Sequence, residues 1–151
     1  MPVLVAMRGR RAPALARRLA RTARALLREL RLDTAELSLV LVSDKVMHDL
    51  NRTWRGKDKP TDVLSFSMLE EVCSARTRSL AHAEGLLGDV VISIDTARRQ
   101  AAELGHSLGT EAERLLVHGV LHLIGYDHEV SAAQARRMFR KERALLRALG
   151  A

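Results

Sequence analysis

Three of the six histidines fall within the eleven-residue run HGVLHLIGYDH, from His118 to His128. A spacing of four sets His118 and His122 one turn apart on one helix face. Both imidazoles can then reach a single ion at about 2.0–2.1 Å. Gly125 ends that helix and turns the chain back, so that His128 supplies a third nitrogen. Three imidazoles with an open fourth position suit hydrolytic zinc chemistry, in which the pKa of bound water falls from about 15.7 to about 7. No thiolate lies nearby, and imidazole favours Zn²⁺ over Mg²⁺ or Ca²⁺. The expected cofactor is one Zn²⁺ per chain, held by His118, His122 and His128. A single buried histidine is more often a packed core residue. Two at helical spacing on an apolar helix, then a glycine and a third, are not explained by packing, because unpaired buried imidazoles cost desolvation. His48, His82 and His106 fall on amphipathic or loop positions and read as structural or surface residues.

The frame H-x-x-x-H-x-x-G-x-x-H is also that of the metzincin proteases, in which glutamate follows the first histidine and acts as general base. Here that position is Gly119, which excludes a peptide substrate.

The elements that position these histidines are legible from periodicity. The helix bearing them is apolar nearly all round from Leu115 to Ile124, as a central buried helix must be, with Thr110 and Glu113 expected as its capping box. Leu15, Leu19, Leu26, Leu27 and Leu30 alternate with Arg17, Arg21, Arg24 and Arg28, a helix over 14–30 with an arginine-rich outer face; such a face is more often simply solvated. Further helices are expected over 46–54, capped by Ser43, over 94–104, and over 132–149. Strands are expected at Val3–Ala6, Glu36–Ser43, Thr61–Ser67 and Leu86–Ser93. Gly56–Pro60 reads as a basic loop, and Glu70–Gly85 as a long loop without periodicity. The fold class is therefore α/β (α+β): one domain over 1–151, a small mixed sheet of three or four strands, and about five helices.

Net charge is +7 and the pI about 10.7, which draws the chain to polyanions. Only four of the 25 basic residues are lysines (Lys45, Lys57, Lys59, Lys141), and an arginine- and alanine-rich chain can simply reflect genomic base composition. Cys73 stands alone, which rules out an intrachain disulfide and suits a reducing compartment. The apolar run before Arg8 is too short for a signal core, and no run approaches the ~18 apolar residues of a membrane span. The expected location is the cytoplasm, without membrane contact.

HGVLHLIGYDH, together with NRTWRGKDKPTDVLSFS at Asn51–Ser67 and LLGDVVIS at Leu86–Ser93, resembles the YbeY family. Three separated motifs in order, plus a C-terminal helix carrying Met138 and Glu142, extend the resemblance over nearly the whole chain. It implies a bacterial zinc-dependent endoribonuclease specific for single-stranded RNA, acting in 16S rRNA 3′-end maturation and ribosome quality control, with the small ribosomal subunit and its proteins as partners. The zinc would sit on His118, His122 and His128, and Arg55 would be the functionally important arginine. The chemistry of Arg55 agrees: a guanidinium clamps phosphate oxygens and stabilises charge growing in the transition state. Lys57 and Lys59 are candidate RNA-backbone contacts, and Asp127, beside His128, a candidate for fixing an imidazole. Trp54 reads as core rather than as a base-stacking platform. Asp62 and Asp89 read as turn or structural carboxylates. The alternative is a non-catalytic ribosome assembly factor in which zinc holds the helix and turn together.

Overall fold

A computed structural model describes residues 3–32, 34–67 and 86–150; Glu70–Gly85, with Cys73 and His82, lies outside them. The strands are β1 (Val3–Arg8), β2 (Glu36–Val42), β3 (Val63–Ser67) and β4 (Leu86–Ser93). The helices are α1 (Pro13–Glu29), α2 (Asp44–Arg55), α3 (Ile94–Leu104), α4 (Leu108–Leu123) and α5 (Ala132–Ala148). Among the described residues, four strands and five helices make the expected mixed α/β arrangement, with β1 at an edge. The sheet order is β1-β2-β4-β3; β1, β2 and β4 run parallel, and β3 pairs antiparallel with β4.

Parallel strands need both faces covered, and the two faces of β2 show how. Leu37, Leu39 and Leu41 point one way and are fully buried in the main core with α1, α3, α4 and α5. On the other face Val42 joins Met47, Leu64 and Val91 in a smaller core closed by α2. Helix α4 lies at the centre of the main core, packed on α1, α3, α5 and the β3–β4 edge. Ser43 caps α2 by accepting the Val46 N–H at 3.3 Å, as its side-chain chemistry predicts.

Two local expectations are corrected. Helix α4 starts one turn early: Ser107 is its cap, accepting the Thr110 N–H at 3.1 Å, and Thr110 is already helical. The carboxylate of Glu113 is not free for a capping box, because Arg18 (2.7 Å) and Thr22 of α1 take it. Trp54 is not core. It is 62% exposed, resting edge-on against Phe66 with ring centroids 6.1 Å apart.

Candidate metal centre and its cleft

The last two turns of α4 project His118 and His122, and a Schellman turn brings the chain back. Gly125 takes φ +105°, its N–H donates to the His122 carbonyl at 3.1 Å, and the Tyr126 N–H donates to the Leu121 carbonyl at 3.0 Å. Arg137 of α5 lies over the Tyr126 ring, 5.5 Å from its centroid, holding the turn against that helix. The Asp127 carboxylate accepts the Glu129 N–H at 2.8 Å, which braces the backbone on either side of His128.

This puts the three rings together. Their centroids lie 4.9, 5.2 and 5.1 Å apart, and one ring nitrogen from each histidine falls within 4.8 Å of the others. His122 Nε2 and His128 Nδ1 are 3.2 Å apart. Tetrahedral zinc with bonds of about 2.0–2.1 Å needs ligand nitrogens about 3.3 Å apart, so the donor set fits. Burial, and then the neighbouring His118 and His128, hold His122 below the usual imidazole pKa, outweighing the opposing pull of Asp127 and Glu129. His122 is therefore neutral at pH 7, the form that ligates metal. His118 and His122 are half-buried, whereas His128 is exposed, so the cluster opens to solvent.

The orienting carboxylate is Glu142. Its Oε1 accepts from His118 Nδ1, and the glutamate is only 8% exposed. An ionised carboxylate can only accept, so the proton sits on Nδ1 and leaves the Nε2 lone pair for a ligand bond. Carboxylate-held histidines of this kind are the rule at zinc sites. Sequence reading placed that function on Asp127, whose hydrogen bond here is to backbone. The available signal was that Glu142 shares the apolar stripe of α5 with Met138 and Leu145.

Gly119 explains the absent glutamate. A Cβ there would come within 2.8 Å of Val90 Cγ1 and 3.1 Å of Ser65 Oγ. Position 119 thus faces the sheet, where Ser65 Oγ donates to the Gly119 carbonyl at 2.9 Å.

Across from the histidines stands the end of α2. Gly56 adopts a left-handed conformation, φ +66°, and starts the basic loop. That loop is tied down twice: Asn51 Nδ2 donates to the Lys59 carbonyl at 2.7 Å, and His48 pairs with Asp58 at 2.7 Å. Arg55, Lys57, Lys59, His118, His122, Asp127 and His128 consequently line one cleft of about 650 Å³. Asp62 lines it too, with its carboxylate taken by the Val63 N–H and Gln100 Nε2. Asp89 lies in β4 and is not part of the lining. His106 is structural: with Arg114 it pairs the buried Glu111. Sequence reasoning missed Asn51 and Ser65, whose roles depend on partners eight and 54 residues away.

The family model described as Endoribonuclease YbeY matches residues 9–150. The protein named Endoribonuclease YbeY from Anaeromyxobacter sp. (strain Fw109-5) is 51% identical over 143 residues, 95% of this chain and 68% of that one. Its namesake from Aquifex aeolicus (strain VF5) is 49% identical over 115 residues, 76% of this chain and 71% of its own. The solution structure of TM1509 from Thermotoga maritima has the same fold, with a TM-score of 0.65 over 97% of this chain and 89% of that one at 24% identity.

Proposed function

The chain belongs to the YbeY endoribonuclease family, and from that premise we propose that it is a zinc-dependent endoribonuclease that cleaves single-stranded RNA in this cleft. Its place of work is the cytoplasm, in 16S rRNA 3′-end maturation and ribosome quality control, with the small ribosomal subunit as partner. The observation that carries the reading is the convergence of His118, His122 and His128 in one cleft with Arg55, Lys57 and Lys59. His118, His122 and His128 would hold the zinc, which when bound would supply Lewis-acid polarisation of the scissile phosphate. Glu142 keeps the His118 ring in the ligating tautomer. Arg55 binds the phosphate oxygens and stabilises the charge that grows on them. Lys57 and Lys59, on their anchored loop, position the RNA backbone on either side. An assembly factor with purely structural zinc fits less well: such sites are closed by four protein ligands, whereas this one has three histidines facing an open cleft.

Arg55 separates catalysis from mere attraction. Arg55→Ala is expected to keep zinc and fold yet lose about 10²–10³ in cleavage rate, measured in single turnover at saturating RNA. Lys57→Ala and Lys59→Ala are expected to weaken RNA binding and to recover cleavage at saturation. An Arg55→Ala protein that cleaves at the wild-type rate under saturation removes Arg55 from the mechanism. Wild-type, zinc-loaded protein that leaves single-stranded RNA intact removes the enzyme reading.

A further inference from the structure

Away from the cleft, positive charge is concentrated on a second surface. Helix α1 carries Arg17, Arg21, Arg24 and Arg28, and helix α5 carries Arg136, Arg140, Arg143 and Arg147. Both sets step by four, three and four residues, which is one stripe along a helix. At 1.5 Å of rise per residue each stripe is about 16 Å long. On α1 the stripe lies opposite the buried Ala16, Leu19, Ala23, Leu26 and Leu27; on α5 it lies opposite Met138, Glu142 and Leu145. Seven of the eight arginines are exposed and Arg24 is half-buried. The two helices pack side by side on α4, so the stripes share the outer surface of the helical layer.

None of the eight lines the cleft. Among the described residues, ion pairs engage Arg10, Arg18, Arg52, Arg99 and Arg114 and none of these eight. Glu29 is the one acid of α1, and Glu142, the one acid of α5, is buried against His118. Like charges one turn apart destabilise a helix, and neither stripe interleaves acids to relieve this.

We propose that this surface is a second RNA-binding face, which holds the phosphate backbone of folded RNA while the cleft receives the single strand. Guanidinium groups bind phosphate bidentately, and their mounting on two packed helices fixes their spacing. Base stacking needs an open aromatic face, and the exposed ring beside the stripes, Phe139, already has Arg143 5.6 Å above it. The contacts therefore suit backbone rather than bases. The proposal rests on RNA being the substrate of the cleft.

The test measures equilibrium binding of the full-length protein to two RNAs over a range of salt. One is a short unstructured oligonucleotide; the other is a hairpin with a stem longer than either stripe and the same sequence as a single-stranded tail. A variant carrying Arg136→Gln, Arg140→Gln, Arg143→Gln and Arg147→Gln is expected to bind the hairpin about tenfold or more weakly. Its slope of log K against log salt should be shallower by about 3, four contacts at roughly 0.7–0.9 each. The milder Arg140→Gln/Arg143→Gln pair, the safer variant to fold, should lose about half of that slope. Both should bind the oligonucleotide as wild type does, whereas Lys57→Gln/Lys59→Gln should lose the oligonucleotide. Wild-type hairpin affinity and slope in the α5 variants and in the matching α1 variant would overturn the second face. So would unchanged hairpin binding together with stripe-dependent capture of phosphatidylserine vesicles or of a polyglutamate peptide. Failure of the wild type to bind the oligonucleotide, with hairpin binding still stripe-dependent, would instead sink the reading of the cleft.

Discussion

Removing the charge of Glu142 while keeping its shape isolates what the carboxylate does for the metal centre. Glu142 is 8% exposed and holds His118 Nδ1, and the His118 side chain is itself only 23% exposed. The carboxylate therefore acts on the ligand through a poorly solvated contact, where charge is weakly screened. Losing such a partner costs about 10–100-fold in metal affinity, or about 1.4–2.7 kcal/mol. Glu142→Gln still offers an oxygen to Nδ1–H and loses only the charge, so it belongs near the tenfold end. Glu142→Leu loses both and belongs near the hundredfold end. Zinc competition against a chromophoric chelator reads the affinity directly. Thermal unfolding with and without zinc supplies a second reading: at fixed excess zinc, each tenfold loss of affinity removes about 1.4 kcal/mol of zinc-dependent stabilisation. The metal-free Leu variant should lose about 1–3 kcal/mol, since the His118 Nδ1–H is left without its acceptor, and the zinc-dependent loss comes on top of that. If Glu142→Leu binds zinc as tightly as wild type, or loses stability equally with and without zinc, Glu142 is structural and does not position His118 for the metal.

Gly119→Ala should destabilise the protein by up to about 2 kcal/mol, the overpacking against Val90 of about 1–3 kcal/mol less a helix-propensity gain of about 1 kcal/mol; chemical denaturation measures it, and a stabilised variant would show that position 119 has room. Gly119→Glu should fail to fold rather than gain casein cleavage, and a folded, chelator-sensitive peptidase would contradict this placement. Acid stability should depend on Glu111: burial pushes its pKa up, but hydrogen bonds from Arg114 and His106 outweigh that and hold it below 4.5. A depressed carboxylate stabilises fully above its unfolded pKa and loses this as pH falls through the folded one. Wild-type stability should therefore drop below about pH 4.5, whereas Glu111→Gln, weaker at neutral pH by about 3–5 kcal/mol, should drop less steeply there. Parallel acid-unfolding profiles for the two proteins would remove Glu111 from that account.

What the sequence determined by itself was whatever repeats within one element. His118 and His122 share a face because a helix repeats every 3.6 residues, and Gly125 announces the turn that returns His128, since few other residues take φ +105°. The alternation of Leu37, Leu39 and Leu41 announced a strand, and the arginine rows of α1 an amphipathic helix. Tertiary structure decided what depends on packing across long separations. Glu142 meets His118 across 24 residues, a pairing no period encodes. Glu113 lies beyond the first turn of its helix, which Ser107 caps, and its carboxylate goes instead to Arg18, 95 residues away, a charged partner on a packed helix. Trp54 stays on the surface because its end of α2 overhangs the sheet edge at Phe66, where the hydrophobicity of the side chain has no core to enter. The opposition of Arg55, Lys57 and Lys59 to the three histidines likewise comes from the fold, which docks α2 on one face of the sheet and α4 on the other so that both contribute to one cleft.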